Sequence, residues 1–479
     1  MKNTLQTTKQ MIIAGVLAVL CCIGLLLVSS FIPQKSIEKN AKQSSDYFLA
    51  NPLFESLTKN QSSTKRDNYA DCISADIAWQ LGNGTTDSNV FERVLEARYT
   101  QEAWENVNSG FHRAVYEGAE ANRAYSRYWH GNAAVIRLLY PVLNVTQMRI
   151  VFMVLGIVLT LAWTAYLVAK KEYVLAIPYL LGAFAIKVVF SYLCFEYAFV
   201  SLLVPVFSFL AYRVATNIRN RKEGRLLRPV TLFFLAGILT CFFDFLTAET
   251  LTFTIPAFVF FFCLEKKEEK PFVITTDSSK EGSEKSPFKM FLSIGFGWMA
   301  GYAGMFLLKW LLTLIVFGKE EFVLSLQVAA ERSVGAVHET QNLASPTVGF
   351  AERVLRIISR NFACLFGLSD NMSMTAVWVV LGGIVAAVVL LWFFLRKSSK
   401  EKQKGKKATS FFPVYLILML LPIGRFLVLS NHAYMHYFFT YRALMITVSA
   451  GAYLFIKTTV VSNLFTRQNP PRRGSRAGR

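Results

Sequence analysis

Residues 11–32 read MIIAGVLAVLCCIGLLLVSSFI and contain no charged side chain. A helix needs about 20 apolar residues to cross the ~30 Å hydrocarbon core of a bilayer, so this stretch is long enough to span one. Lys2 and Lys9 precede it, as in a signal peptide. However, the apolar run is long, and residues 31–40, FIPQKSIEKN, contain no small-x-small cleavage site. The sequence therefore predicts an uncleaved membrane anchor.

Similar apolar runs recur along the chain. Of its 479 residues, 53% are hydrophobic and 17% charged, whereas soluble proteins have about 25% charged residues. This argues against a soluble enzyme and predicts an all-α integral membrane protein with about ten transmembrane helices. Lys187 interrupts the third run, and Asp244 and Glu249 break the pair at 229–264, so the count could be nine or eleven. The ten runs are 11–32, 148–169, 173–192, 195–213, 229–247, 250–264, 290–317, 376–395, 411–430 and 438–461.

The runs divide the chain into membrane segments and loops of very different length. Two long segments, a large first loop and a second loop, alternate with short, lysine-rich connections. The predicted boundaries are an N-terminal segment 1–10, the first helix 11–32, the first large loop 33–147, helices two to six in 148–264, a short loop 265–289, the seventh helix 290–317, the second large loop 318–375, helices eight to ten in 376–461, and a basic tail 462–479.

The distribution of charge predicts which way the loops face. The chain has a formal net charge of +20, and its excess of Lys and Arg lies in the short connections, such as RKSSKEKQKGKKATS at 396–410. By the positive-inside rule, both termini and the short loops are cytoplasmic, and the two large loops lie outside the cell membrane. The basic residues form no folded face, so we predict anionic membrane lipid as their partner and no nucleic acid.

The first large loop contains two acids four residues apart, Asp67 and Asp71 in RDNYADC. In a helix they would lie on one face. They could mark a helix start, where one caps the helix and the other favours its dipole. Alternatively, one carboxylate could serve as a general base at an outward cavity. Further along, the spacing of apolar residues in 89–107 predicts short helices lying along the membrane surface.

Several charges lie at the edges of apolar runs, where insertion is costly and a function is the default hypothesis. Glu196 and Asp244 fall near predicted outer ends, which suggests a second acidic site, although Asp244 could instead pair with Lys187. The last outward turn, SNHAYMHYFFTYRALMITV, is rich in His, Tyr and Arg. It suits phosphate oxygens or interfacial anchoring; the relevant residues are His432, His436, Tyr441 and Arg442. The histidine pair lacks a third zinc ligand, so we assign no metal.

This layout resembles the GT-C superfamily of integral-membrane glycosyltransferases, which use polyprenyl-phosphate sugars. The likeness comprises the first span, a large outer loop with the carboxylate motif RDNYADC, and many further spans. The segments RYWHGN, FFDFLTAE and NHAYMHYFFTYRAL also look like bacterial membrane proteins of this broad type. The resemblance implies transfer of a sugar, with inversion, from a polyprenyl-phosphate donor to an extracytoplasmic cell-envelope acceptor.

The resemblance also implies roles for individual residues. Asp67 or Asp71 would be the general base, and Glu196 matches a second acidic site by position. The residues implied to hold the donor phosphate are Arg442, His436, Arg127 and His130. Because the superfamily contains metal-dependent and metal-independent enzymes, the cofactor is unknown and a divalent metal stays open.

Two other classes of protein would fit the same composition. One is a multi-pass transporter or flippase of a lipid-linked or anionic substrate, in which Lys187, Glu196 and Asp244 gate an alternating site. Carriers commonly contain internal repeats, and none is found in this sequence. The other is a non-catalytic cell-envelope scaffold, which needs no converging acids. The transferase hypothesis requires Asp67 or Asp71 to come within about 10 Å of the cluster around His436 and Arg442 across a cavity, since one sugar phosphate has to touch both.

Overall fold

The computed structural model describes residues 2–81, 89–220, 227–266, 286–334, 349–396, 411–462 and 464. Helices dominate this part of the chain: α1 Lys2–Ser30, α2 Gln34–Ala50, α3 Asn68–Gln80, α4 Val90–Leu95, α5 Val107–Tyr116, α6 Gly131–Leu139, α7 Val145–Ala169, α8 Tyr173–Ala185, α9 Val188–Ser191, α10 Phe195–Arg219, α11 Pro229–Phe243, α12 Leu251–Glu265, α13 Pro287–Phe317, α14 Lys319–Val334, α15 Phe350–Phe366, α16 Met374–Leu395, α17 Phe412–Val428, α18 Ser430–Met435, α19 Tyr437–Thr440 and α20 Met445–Thr458.

Among the described residues, four short strands form two antiparallel two-stranded sheets. Strand β1, Phe54–Ser56, pairs with β2, Lys65–Asp67, and strand β3, Arg98–Tyr99, pairs with β4, Arg123–Ala124. Both sheets belong to the segment between α1 and α7, which we call the lobe and define as residues 34–81 and 89–144. The lobe has its own buried apolar core, formed mainly by α2, α3, α5 and α6.

The predicted class of helical membrane protein is confirmed. All ten apolar runs contain helix, and within the described ranges six segments are long and apolar enough to cross a membrane: Leu5–Ser30, α7, α10, α13, α16 and Tyr437–Thr458. The other four helices, α8, α11, α12 and α17, have 13 to 17 residues. The count of ten spans and the orientation of the chain therefore stay predictions.

The third run is shortened by its lysine. Lys187 has a left-handed backbone, with φ of 51°, and it separates α8 from α9. Its ammonium group donates to the carbonyl of Cys364, 2.8 Å away, near the C-terminal end of α15. A cation is favourable at that end of a helix dipole. The predicted gating residue therefore has a capping role at α15, and the Asp244 carboxylate accepts its hydrogen bonds from Leu246, Thr247 and Tyr302 instead.

The segment 89–107, for which we predicted short surface helices, divides into three elements. It forms α4, the strand β3 and the start of α5, and Trp104 lies in the turn between them with 74% of its surface exposed. Trp104 therefore lies outside both helices. Asn89 and Glu92 form a capping box at the start of α4, which explains where this helix begins.

A buried arginine joins the lobe to the first helix. Arg137 in α6 is 1% exposed, and its guanidinium donates four hydrogen bonds to backbone carbonyls. Two of these acceptors, Ser29 and Ile32, lie at the end of α1, and the other two, Ala78 and Trp79, lie in the last turn of α3. The end of the anchor helix is thereby held against the C-terminal end of α3.

Helices α11 and α13 approach closely through glycines, as is common where membrane helices pack. A Cβ atom added at Gly301 would lie 2.1 Å from the carbonyl oxygen of Phe234, and one added at Gly237 would lie 2.1 Å from that of Trp298. Backbone oxygens cannot move aside as a side-chain end can. This contact therefore fixes the distance between the two helices.

We expect Gly301→Ala to destabilise the protein by about 1–3 kcal/mol, because the methyl group overpacks the α11–α13 contact. Thermal unfolding of the purified protein in detergent measures this. Gly304→Ala is the matched control, since no atom of the described part of the chain lies within 4 Å of a Cβ added at Gly304 in the same helix. Equal melting temperatures for the two variants would show that the close contact does not limit stability.

Candidate functional site

A cavity of about 550 Å³ lies where the lobe meets the start of α10 and the α18–α19 turn. This volume lies within the range of small-molecule sites. The lining combines carboxyl groups, histidines, aromatic rings and amides from segments far apart in sequence. Its polar and aromatic members include Asp67, Tyr69, Ser74, Tyr99, Gln101, Glu102, Glu105, Asn106, Arg123, Tyr125, Glu196, Phe245, His432, His436 and Phe439.

Two carboxyl groups meet at this cavity. Asp67 ends β2 and caps α3, and its Oδ1 accepts a hydrogen bond from the backbone N–H of Ala70 at 2.9 Å. Its carboxyl group is also hydrogen-bonded to that of Glu196, in the first turn of α10. Such a contact requires a shared proton, since two carboxylates would repel each other. Asp67 is 3% exposed, and this burial raises its pKa to about 7.

Asp71 lies behind the cavity and is not among the lining residues. It forms a buried ion pair with Arg149 of α7, with Oδ2 2.6 Å from Nη2 and 3.0 Å from Nε. Its Oδ1 accepts a hydrogen bond from the backbone N–H of Phe195 at 2.7 Å. Asp71 thus caps the N-terminus of α10 and places Glu196 opposite Asp67.

The two histidines of the last turn reach the same cavity. His432 and His436 lie one helical turn apart, with ring centroids separated by 4.8 Å, and both line the cavity. Phe439, which also lines it, stacks on His436 at 5.0 Å. Asp67 and the histidine pair therefore line the same cavity.

The other two residues predicted in that turn do not line the cavity. Arg442 is buried; its Nε donates to Ser191 Oγ at 2.8 Å, and its guanidinium lies 4.4 Å from the ring centre of Tyr197. The Tyr441 hydroxyl lies 2.9 Å from the carbonyl oxygens of both Ser63 and Ile186. These contacts brace the packing behind the cavity, so direct contact with a ligand there is not their role.

Arg127 and His130 do not line the cavity, but both pack against one of its lining residues, Tyr125. His130 has a left-handed backbone, and its Nε2 lies 2.7 Å from the carbonyl oxygen of Tyr125. Burial lowers the pKa of His130 to about 3, so this imidazole is neutral and contributes no charge to a phosphate. The Arg127 guanidinium lies 4.0 Å from the ring centre of Tyr125.

Asp244 stabilises a loop and does not line the cavity with Glu196. Its carboxylate accepts hydrogen bonds from the backbone N–H groups of Leu246 and Thr247 and from the hydroxyl of Tyr302. The loop that it closes joins α11 to α12 and presents Phe245 to the cavity. The predicted second acidic site is thus divided: Glu196 lines the cavity, and Asp244 supports one wall.

Sequence reasoning missed the part of the lining that comes from the lobe. Tyr99 of β3 pairs with Arg123 of β4, and Arg123 Nε donates to the carbonyl of Gln101 at 2.9 Å. Among the residues that the structure describes, Arg123 is the only lysine or arginine of this lining. These strands have two residues each and are more than 20 residues apart, so no periodic pattern marks them.

The sequence does not decide whether the protein binds a metal ion. Within the described ranges, no group of three or more His, Cys, Asp or Glu side chains is arranged to hold a metal ion. The groups at the cavity can nevertheless accept a proton at a carboxylate and donate hydrogen bonds from imidazole and guanidinium nitrogens. This is an arrangement suited to acid–base chemistry.

Comparison with known proteins leaves the function to be inferred from the site itself. No protein-family model, no curated protein and no solved structure matches this chain. Fold and site together define a helical membrane protein with a carboxyl pair and two histidines in one cavity.

Proposed function

We propose that this protein is a membrane glycosyltransferase. It would move a sugar from a polyprenyl-phosphate donor to an acceptor hydroxyl on the extracytoplasmic side of the cell envelope, with inversion. The observation that carries the proposal is the meeting of Asp67, Glu196 and the pair His432–His436 at one cavity. Such convergence supplies both a base and hydrogen-bond donors, whereas a scaffold protein would need neither.

Asp67 is the general base of the proposed reaction. Its carboxylate accepts the proton of the acceptor hydroxyl while that oxygen forms a bond to the anomeric carbon of the sugar. The bond from the anomeric carbon to the phosphate oxygen breaks, and polyprenyl phosphate leaves with the bonding electrons. Glu196 sets the protonation of Asp67, since the two carboxyl groups share a hydrogen bond. The cavity-lining nitrogens of His432, His436 and Arg123 are the candidates to stabilise the leaving phosphate.

The choice of Asp67 over Asp71 rests on their environments. Asp67 lines the cavity and has a raised pKa, as a base working near neutral pH requires. Both oxygens of Asp71 accept hydrogen bonds, from Arg149 and from the start of α10. Asp71 is therefore a positioning residue in this proposal.

A transfer assay with purified protein in lipid vesicles tests the proposal. Polyprenyl-phosphate sugars with a labelled sugar are supplied together with wall-polymer, lipid and peptide acceptors, and product and lipid movement across the bilayer are measured separately. Labelled product that depends on the protein supports the transferase. Movement of the lipid across the bilayer without any transfer product would instead support the flippase class.

The transfer rate is expected to rise with pH and to reach half its maximum near pH 7, because burial raises the pKa of Asp67 to about 7. The proton must leave before the carboxylate can act as base, so activity is lost as the pH falls below that value. Initial rates measured at saturating donor from about pH 5 to pH 9 check this. A rate that is constant across the range would contradict the role of a buried carboxylate.

A further inference from the structure

A second pocket, of about 330 Å³, lies between α15 and the start of α16. We call it the arginine pocket, and its lining consists of Arg356, Ser359, Arg360, Ala363, Cys364, Ser369, Asp370, Met372, Met374, Val377 and Tyr437. It shares no lining residue with the larger cavity. Tyr437 lines the arginine pocket, and the preceding residue, His436, lines the larger cavity.

Two guanidinium groups, those of Arg356 and Arg360, line this pocket together with the carboxylate of Asp370. Arg360 lies over the rings of Tyr434 and Tyr437, at 5.0 and 5.1 Å from their centres, and among the described residues it has no ion-pair partner. Arg356 pairs with Glu352 one turn away in the same helix, where both side chains are more than a third exposed. The carboxylate of Asp370 is directed to Ser62, accepting from its backbone N–H and its hydroxyl. The pocket is therefore suited to an anion.

The surroundings of the pocket are apolar. Helix α16 is one of the six segments able to cross a membrane, and its most apolar stretch is only 11% buried by the rest of the protein. Leu355 and Phe366 of α15 and Met374 at the start of α16 are all more than 40% exposed. A phosphate bound by the arginines would thus lie at the start of α16, next to the exposed apolar surface of that helix.

We propose that the arginine pocket binds the phosphate group of a membrane lipid with a net negative charge, whose hydrocarbon chain lies along the exposed face of α16. Arginine suits this role because its planar fork can hold two phosphate oxygens at once. The stacked tyrosine rings hold Arg360 in place and reduce the entropy lost on binding. The site is independent of sugar transfer, and it would stand if the proposed function failed.

The experiment uses the full chain purified in detergent. Phosphatidylglycerol, phosphatidylcholine, polyprenyl phosphate and inorganic phosphate are added separately, and the melting temperature and the lipid-bound fraction in native mass spectrometry are measured. We expect at least about tenfold tighter binding of an anionic lipid than of phosphatidylcholine, and an increase in melting temperature with the anionic lipid. A preference between phosphatidylglycerol and polyprenyl phosphate identifies which membrane lipid supplies the phosphate.

The double variant Arg356→Gln with Arg360→Gln should lose this selectivity. Arg353→Gln is the matched control, because Arg353 lies in the same helix and does not line the pocket. The proposal is overturned if the control loses as much selectivity as the double variant, or if wild-type protein binds phosphatidylcholine equally well. Stabilisation by inorganic phosphate alone, without lipid selectivity, would also overturn it.

Discussion

Asp67→Asn is expected to lower the rate of sugar transfer by roughly 10²–10⁴-fold, the usual contribution of a general base. An amide cannot accept the acceptor's proton. The variant should nevertheless fold, because asparagine caps helices about as well as aspartate and its Oδ1 can keep the hydrogen bond from Ala70 N–H. The assay is initial transfer in vesicles, with circular dichroism and melting temperature measured in parallel.

Asp76→Asn is the matched control for this loss. Asp76 is a second buried acid in α3, but it does not line the cavity, and its Oδ2 accepts from the backbone N–H of Thr100 at 2.7 Å. An asparagine oxygen can accept the same hydrogen bond, so transfer should persist. Glu196→Gln completes the set. If that variant loses transfer while Asp67→Asn keeps it, Glu196 is the base and the assignment to Asp67 is wrong.

Arg149→Met is expected to destabilise the protein by about 3–5 kcal/mol, because it leaves the Asp71 carboxylate buried without its cation. The pair is almost inaccessible: the Arg149 and Asp71 side chains are 3% and 0% exposed. The same change should also lower transfer, since Asp71 holds the start of α10 and, with it, Glu196. Unfolding in detergent and transfer in vesicles measure the two effects.

Two further variants separate the cost of a lone charge from general damage. Adding Asp71→Asn to Arg149→Met should restore part of the lost stability, because the asparagine oxygen still accepts from Phe195 and no charge remains unpaired. Lys42→Met removes an exposed ion pair with Glu38 in the same lobe and should cost about 0–1 kcal/mol. If Arg149→Met and Lys42→Met unfold at the same temperature, the buried pair does not stabilise the fold.

The apolar helices could be predicted from sequence because their signal is local. Each run of residues such as 11–32 contains all the information that a membrane helix needs. Interruptions of these helices are harder to predict. The helix of the third run is interrupted at Lys187, where a left-handed backbone and a contact with the end of α15 outweigh the apolar pattern. Such a contact links residues 177 positions apart and leaves no periodic trace.

The same limit explains what was found of the site. Glu196, His432 and His436 could be named because polar groups beside apolar runs are rare, and Asp67 because it lies four residues from Asp71 in the first large loop. Their meeting could not be derived, since it depends on Asp71 reaching the first turn of α10. Arg442 was misplaced for a related reason. A cation near a membrane edge can face a ligand or pack against rings such as Tyr197, and only packing decides between them.

Arg137 has a consequence for how this protein can be divided in the laboratory. Two of its four carbonyl acceptors belong to the lobe, and the other two belong to the anchor and the residues just after it. A fragment beginning at residue 34 would lack Ser29 and Ile32. Two of the four hydrogen bonds that the buried Arg137 guanidinium donates would then have no acceptor. The lobe is therefore not an autonomous soluble domain, and expression trials aimed at its structure or its ligands should retain the first helix.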